Sequence, residues 1–127
     1  MLNQTKVVGR LVKAPIIKET SKGNKILNIT LAVQRGFKNK EGNYEVDFID
    51  CVLWKGIAES TAEYCSKGSV IGVKGRLQTS LYTDDYGKTS KNVELVAEKV
   101  TFLGYPNKDN ARDELKEVYD DYQDMYI

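Results

Sequence analysis

The chain has 127 residues, a formal net charge of +1 at pH 7 and no histidine. This length suggests one domain that can bury a core without disulfides or a metal. The lack of histidine excludes Ser-His-Asp and Cys-His catalysis, and it excludes any zinc site that uses imidazole. Two cysteines are too few for a zinc site built from thiolates. Catalysis by carboxylates and magnesium stays open on this ground. We nevertheless expect no metal, no cofactor and no enzymatic activity.

The charge is distributed unevenly along the chain. Residues 1–104 contain 16 Lys and Arg against 11 Asp and Glu, a net charge of +5. Residues 105–127 contain 3 against 7, a net charge of −4. A basic body suits a polyanionic partner, and an acidic end suits a solvated tail or one that binds a partner protein.

Three features bear on location. No apolar run approaches about 18 residues, so we expect no membrane-spanning segment. The N-terminal stretch MLNQTKVVGRL lacks the charged, apolar and small-residue succession of a signal peptide. Cys51 and Cys65 form no CxxC motif, and we interpret them as buried free thiols, which suit a reducing compartment. These features predict a cytoplasmic protein.

Alternation of apolar and polar residues predicts five strands. They cover residues 5–12, 26–35, 46–54, 69–82 and 92–103. A connector with Pro15 and the turn pair Gly23-Asn24 separates the first two strands, and the basic loop GFKNKEGNYE separates the second and third. Gly72 and Gly75 interrupt the fourth strand, where glycines often mark a bulge or a barrel corner.

One segment, GIAESTAEYCSKG, has apolar residues at helical spacing. It predicts a helix of about three turns within residues 56–68, with Gly68 as a C-terminal capping glycine. Three strands, a helix and two strands are the order of a five-stranded Greek-key barrel, the all-β OB-fold. An SH3-like barrel and an open α+β sheet are the alternatives, and the position of the helix favours the OB-fold.

Residues 105–127 differ from the body in composition, and the stretch YPN at their start reads as a stop. We predict a disordered acidic tail that follows a folded domain of residues 1–104, with a short amphipathic helix as the alternative. The tip is acidic and ends on apolar residues, which is typical of a peptide that docks in basic, apolar-lined pockets of partner proteins. The candidate partner-binding residues are Asp120, Asp121, Asp124, Tyr126 and Ile127.

The third strand, VDFIDCVLW, carries unusual apolar surface. Ile49, Cys51 and Leu53 fall on one face and are candidate core residues. The other face carries Val46, Phe48, Asp50, Val52 and Trp54. This second face should meet water in an ordinary antiparallel strand, yet it holds a Phe and the only Trp of the chain. The aromatic residues therefore require an explanation other than the core.

Basic residues are interleaved with four aromatic residues that the alternation does not force inward. The aromatic residues are Phe37, Phe48, Trp54 and Tyr82. The candidate phosphate-contacting residues are Arg35, Lys38, Lys55, Lys67, Lys74, Arg76 and Lys88. A single-stranded nucleic acid needs this combination, because each base can stack on an aromatic face and each phosphate needs a positive neighbour. The pattern predicts binding that depends on strandedness and not on sequence.

Other interpretations of these residues remain open. The aromatic residues could fill a second small core or form a subunit or partner interface, as in an adaptor domain. Asp84 and Asp85 could bind magnesium in a nuclease, but acids on a hairpin tip are typical of turns. The stretch YGKTS lacks the first glycine of a P-loop, which argues against nucleotide hydrolysis.

Five stretches together resemble the bacterial and phage single-stranded DNA-binding proteins. They are MLNQTKVVGRLVKAP, ITLAVQRGF, DFIDCVLWKGIAE, KGSVIGVKGRLQT and VELVAEKVTFL. The resemblance runs through residues 1–104, in order and at the spacing of the family. It implies an OB-fold that assembles as a homotetramer, or as a dimer, with single strands wrapped around it during DNA replication, recombination and repair.

The resemblance also implies residue roles. Four aromatic positions stack on bases in that family, and they correspond by position to Phe37, Phe48, Trp54 and Tyr82. The sequence departs from the family at its end, because the linker is nearly absent and the tip DDYQDMYI lacks the family's Asp run and Pro-Phe ending. The divergent tip leaves its docking to host replication proteins open, and it suggests a phage, plasmid or mobile-element origin.

Overall fold

Six strands and one helix make up the part of the chain that the structure, a computed structural model, describes: residues 1–104. The strands are β1 (Thr5–Leu11), β2 (Lys18–Glu19), β3 (Lys25–Lys38), β4 (Tyr44–Trp54), β5 (Val70–Thr83) and β6 (Thr89–Gly104), and the helix is α1 (Lys55–Tyr64). The tail residues named above, Asp120, Asp121, Asp124, Tyr126 and Ile127, lie outside the described residues.

Five of the strands close into a barrel. The sheet order is β1-β5-β6-β4-β3-β2, and β1 also pairs with β3, which joins the two ends. The pairing of β4 with β6 is parallel, and the other pairings are antiparallel. A closed five-stranded barrel with one short helix between its third and fourth strands is the OB-fold, so the predicted fold is confirmed.

The core follows the period-two alternation of the strands, because successive side chains point to opposite faces. Leu27 and Leu31 of β3, Leu53 of β4, Ile71 of β5 and Leu95 of β6 are all fully buried inside the barrel. The helix covers one end of this core with Ala58, which is also fully buried. This packing places the other face of each strand on the outside of the barrel.

The strands extend further than the sequence predicts. β3 continues to Lys38, and β4 begins at Tyr44, which is paired with Lys38. Only a short tip therefore remains of the predicted basic loop. The connector contains the two-residue strand β2, paired with the start of β3. Polar residues can pair at these sheet ends because backbone hydrogen bonds do not require the side chains to be buried. The alternation of apolar and polar residues therefore does not predict these strand ends.

The helix ends earlier than predicted, so Gly68 does not cap it. Cys65 is the C-terminal cap, and its backbone is extended at φ −115° and ψ 154°. Gly68 lies in the following turn at φ 90°, where its N–H donates to the carbonyl of Leu11 at 2.8 Å. Gly68 therefore joins the turn to β1. Within residues 1–104 no helix is long and apolar enough to cross a bilayer.

Gly75 marks the point where β5 leaves the barrel. A Cβ added there would lie 1.9 Å from the carbonyl oxygen of Val96, and the β5–β6 register shifts between Lys74 and Gly75. The glycine therefore allows the two backbones to approach as a barrel corner requires, which confirms the prediction for this position. Beyond it, β5 and β6 continue as a paired arm that ends in a turn at residues 84–88.

Candidate nucleic-acid interface

The outer face of the β3–β4 pair carries two of the four candidate stacking residues. Residues directly opposite each other in an antiparallel pair share a face. Trp54 lies opposite Ile26, and Phe48 lies opposite Ala32. Phe48 and Trp54 are therefore on one side of the sheet, away from the core residue Leu53.

The two residues differ in their surroundings. Trp54 is 38% exposed and directly precedes α1. Phe48 is half-buried and, like Val46, packs against Val12 and Ala32, which form a small apolar cluster outside the main core. Trp54 therefore offers an open ring, whereas one side of Phe48 is supported by the barrel.

The other two candidate stacking residues lie near the ends of the two hairpins. Phe37 is next to last in β3 and is 68% exposed. Tyr82 is next to last in β5, opposite Ser90, and is 58% exposed. All four aromatic residues are thus available outside the barrel core, with Phe48 the least exposed.

Val52 departs from the expected exposure of this face. It points outward like Phe48 and Trp54, yet it is only 6% exposed. β4 is paired on both sides here, so Val52 lies between Asn28 of β3 and Val96 of β6. Neighbours on two strands shield its small side chain, and sequence alternation does not reveal such lateral cover.

Asp50 lies between the two aromatic residues on the same face. Its cross-strand partner is Thr30, whose hydroxyl donates to Oδ1 of Asp50 at 2.8 Å. Asn28, Asn92 and Glu94 line the same groove of about 330 Å³. The centre of the candidate interface is therefore polar, with aromatic residues on either side of it.

Arg35 is engaged by two carboxylates of β4. Its Nε and Nη2 donate to the carboxylate of Asp47 at 3.0 and 2.8 Å, and its Nη1 donates to Glu45. These bonds lower the pKa of the Asp47 carboxyl and raise the pKa of the Arg35 guanidinium. A phosphate contact by Arg35 would therefore require displacement of a bidentate carboxylate.

Two further candidate phosphate-contacting residues already contact neighbours. Lys38 Nζ lies 5.6 Å from the ring centroid of its ladder partner Tyr44, a cation–π contact. Arg76 Nη1 donates to Gln78 at 2.8 Å. Tyr44 was not predicted as a site residue, because its contact with Lys38 depends on the pairing of β3 with β4.

The remaining candidate cations are spread over the molecule. Lys74 lies in register between Lys6 of β1 and Lys99 of β6, and the three line a groove of about 420 Å³. Lys55 begins α1, and it adopts φ 56°, in the left-handed region. The structure does not gather these lysines with the aromatic residues in one site.

Lys67 and Lys88 are exposed and lie in turns, Lys67 before β5 and Lys88 in the arm turn. Their side chains extend from two different ends of β5.

Asp84 has a structural role in the arm turn. Its Oδ1 accepts the backbone N–H of Tyr86 at 2.9 Å and of Lys88 at 2.8 Å. The interpretation of Asp84 as a turn-forming acid is therefore confirmed. Within residues 1–104 no group of three or more His, Cys, Asp or Glu could hold a metal ion.

The two cysteines are free thiols. Cys51 is buried in the barrel core. This burial, together with the nearby charge of Asp50, raises the pKa of the Cys51 thiol to about 12. Cys65 is only partly buried, less than predicted, and burial also raises the pKa of its thiol. Neither thiol has the lowered pKa of a reactive cysteine.

Comparison with known proteins agrees with this geometry. The chain is 43% identical over 113 residues to single-stranded DNA-binding protein B of Bacillus subtilis, which covers 89% of this chain and 100% of the relative. It is 42% identical over 113 residues to a single-stranded DNA-binding protein of Oceanobacillus iheyensis, covering 89% and 70%. Single-stranded DNA-binding protein 2 of Listeria innocua is 47% identical over 103 residues, covering 81% and 65%.

A sequence model described as the single-strand binding protein family matches residues 2–103. The match spans the barrel, the helix and the arm. The chain therefore belongs to the single-strand binding protein family.

Proposed function

We propose that this protein binds single-stranded DNA without regard to sequence. The observation that carries the proposal is the set of aromatic side chains outside an OB-fold core, in a chain whose relatives are named single-stranded DNA-binding proteins. Bases stack on Phe37, Phe48, Trp54 and Tyr82. Each stacked base contributes roughly 1–3 kcal/mol, so four platforms supply useful affinity without reading base edges.

Phosphates are bound by basic side chains on the outside of the barrel and in its turns, some of them away from the aromatic residues. The proposed contacts are Lys38, Lys55, Lys67, Lys74, Arg76 and Lys88, with Arg35 as a seventh. Arg35 contributes least, because its guanidinium is bound to Asp47 and Glu45. Each contact releases counterions from the strand, so affinity falls as salt rises.

The resemblance to the family supports the wider role. The protein acts in replication, recombination and repair, in the cytoplasm of a bacterial cell or a phage-infected host, and it assembles as a homotetramer. The acidic segment, residues 105–127, recruits partner proteins through its tip, although the tip differs from the family pattern. That divergence supports an origin in a phage or mobile element.

Titration of Trp54 fluorescence tests the binding. Trp54 is the only tryptophan and is partly exposed, so a base stacked on it should quench its emission. We expect quenching by oligo-dT at low salt, weaker quenching as salt increases, and little response to a duplex of equal length. Equal quenching by duplex and single strand, or none by either, would contradict the proposal.

A second function has one observation in its favour. Phe48 and Val46 pack against Val12 and Ala32, and such an apolar patch on the outside of the barrel could bind a protein partner. In that case the molecule is an OB-fold adaptor, and its aromatic face is a protein interface. Phe48→Ala and Trp54→Ala would then change the sedimentation of the assembly, while oligo-dT binding would be absent or unchanged in every variant.

A further inference from the structure

Arg10 of β1 is the most unusual charged residue in the described part of the chain. It is only 8% exposed, and its Nη2 has no hydrogen-bond partner among residues 1–104. Its Nη1 donates to the carbonyl of Gly68 at 2.7 Å. No carboxylate of residues 1–104 lies within ion-pair distance of the guanidinium. A buried cation without a counter-charge is unfavourable, so this arrangement requires an explanation.

The position of Arg10 connects it to the aromatic face. Arg10 lies opposite Ala32 in the β1–β3 pairing, and Ala32 lies opposite Phe48 in the β3–β4 pairing. The three residues therefore share the outer face, and only a methyl group separates the arginine position from the phenylalanine position. Arg10 is also opposite Val70 of β5, and its guanidinium is bonded on that side of β1. A DNA strand that stacks a base on Phe48 would therefore have to extend across β3 and β1 to reach it.

The bond to Gly68 links Arg10 to a turn that carries a second basic residue. Gly68 follows Lys67 in the turn before β5, and Lys67 is exposed. The turn is joined to β1 by Arg10 and by the two backbone bonds between Leu11 and residues 68 and 69. Arg10 and Lys67 thus come from different elements, and the arginine is bonded to the residue that follows the lysine.

We propose that Arg10, with Lys67, forms a binding site for one phosphate of the DNA strand whose base stacks on Phe48. The phosphate supplies both the counter-charge and the hydrogen-bond acceptor that Nη2 lacks. A small rotation of the arginine side chain on the outer face exposes Nη2, and the Gly68 carbonyl holds the other nitrogen. This inference rests on the proposed function and adds a residue that the basic and aromatic patterns of the sequence do not indicate.

The test compares Arg10→Gln with Arg10→Lys in the full-length protein. Glutamine removes the charge but keeps a donor for Gly68, whereas lysine keeps the charge. Trp54 quenching by oligo-dT is measured at several salt concentrations. We expect the slope of log K against log[salt] to shrink by about 0.7, one phosphate on a single strand, in Arg10→Gln and to stay near wild type in Arg10→Lys.

Lys22→Gln is the matched control, because Lys22 is an exposed lysine in the turn between β2 and β3. Its slope should equal that of the wild type. If Arg10→Gln lowers affinity equally at all salt concentrations, Arg10 has a purely structural role and the proposal fails. An equal slope change in Lys22→Gln would indicate a general charge effect and would also overturn it. Absence of wild-type quenching would instead contradict the proposed function itself.

A measurement on the wild-type protein covers the case in which Arg10→Gln does not fold. The guanidinium NMR signal of Arg10 is followed during addition of oligo-dT and of its uncharged methylphosphonate analogue. We expect a shift with oligo-dT and a much smaller one with the analogue, because only the first carries phosphate charge. Identical responses to the two strands would overturn the proposal.

Discussion

The hydroxyl of Thr30 donates to the Asp50 carboxylate at 2.8 Å, directly across the β3–β4 pair. This bond holds a negative charge between the rings of Phe48 and Trp54, on the face where a polyanion is proposed to bind. The carboxylate is therefore a fixed part of the outer face. It would repel a phosphate there, so we expect the backbone of a bound strand to run beside the carboxylate and not over it.

Asp50→Asn should strengthen binding, because the amide oxygen can still accept from Thr30 while the repelling charge is gone. We expect a gain of about 1 kcal/mol at low salt, roughly fivefold in Kd, by titration of Trp54 fluorescence. Glu63→Gln, on the exposed side of α1, is the control for the loss of one negative charge and should have little effect. Unchanged affinity and salt dependence in Asp50→Asn would show that the carboxylate is a bystander.

Phe37→Ala and Phe48→Ala should separate binding from stability. Phe37 is largely exposed, so its loss should cost roughly 1–3 kcal/mol of binding and leave the melting temperature unchanged. Phe48 packs on the small outer cluster, so its loss should weaken binding and also destabilise the fold by about 2 kcal/mol. Calorimetry and titration measure the two effects.

Tyr86→Ala is the aromatic control for this pair, because Tyr86 lies in the arm turn outside the proposed set. Its affinity should match that of the wild type. A loss in Tyr86→Ala as large as the loss in Phe37→Ala would mean that aromatic residues bind DNA wherever they are exposed, without the arrangement described above.

Lys55→Gly should be more stable than Lys55→Ala by about 1–2 kcal/mol, because only glycine adopts φ 56° without a steric penalty at Cβ. Both variants lose the same charge, so both should reduce the salt slope of binding by about 0.7. Denaturant unfolding and salt titrations measure the two quantities. Equal stability of the two variants would show that the left-handed backbone at Lys55 is unstrained.

Gly75→Ala should destabilise the protein by about 3 kcal/mol or more, because its Cβ would overlap the carbonyl of Val96. Gly36→Ala is the control, since nothing lies within 4 Å of a Cβ at Gly36, and its effect should stay within about 0.5 kcal/mol. Urea unfolding followed by circular dichroism measures both. A stable Gly75→Ala protein would mean that the barrel corner can open without cost.

Much of the fold could be predicted from the sequence because strand alternation reports burial directly. It correctly indicated the five barrel strands, the helix and the core position of Cys51 and Leu53. It could not indicate that Val52 is buried on the outer face, because that burial comes from the neighbouring strands on both sides. The end of the helix was also missed, because the extended backbone of Cys65 stops it before Gly68.

The site was less accessible to sequence reasoning. Phe48 and Trp54 could be identified from the sequence, because they are large apolar residues on the strand face that is expected to meet water. Partners of charged residues depend on register, so the bonds of Arg35 to Asp47 could not be read from composition. The buried state of Arg10 was hidden for the same reason, because a charged residue on an outer face is expected to meet water.

The corner at Gly75 also has a mechanical consequence. Tyr82 lies six residues beyond Arg76 on the paired arm, about 20 Å along the strand. Rocking of the arm by about 10° at the corner would carry the Tyr82 ring through ~3.5 Å, the thickness of one stacked base. A small change in the angle of the arm would therefore change the distance of Tyr82 from Phe48 and Trp54, which lie on the barrel itself.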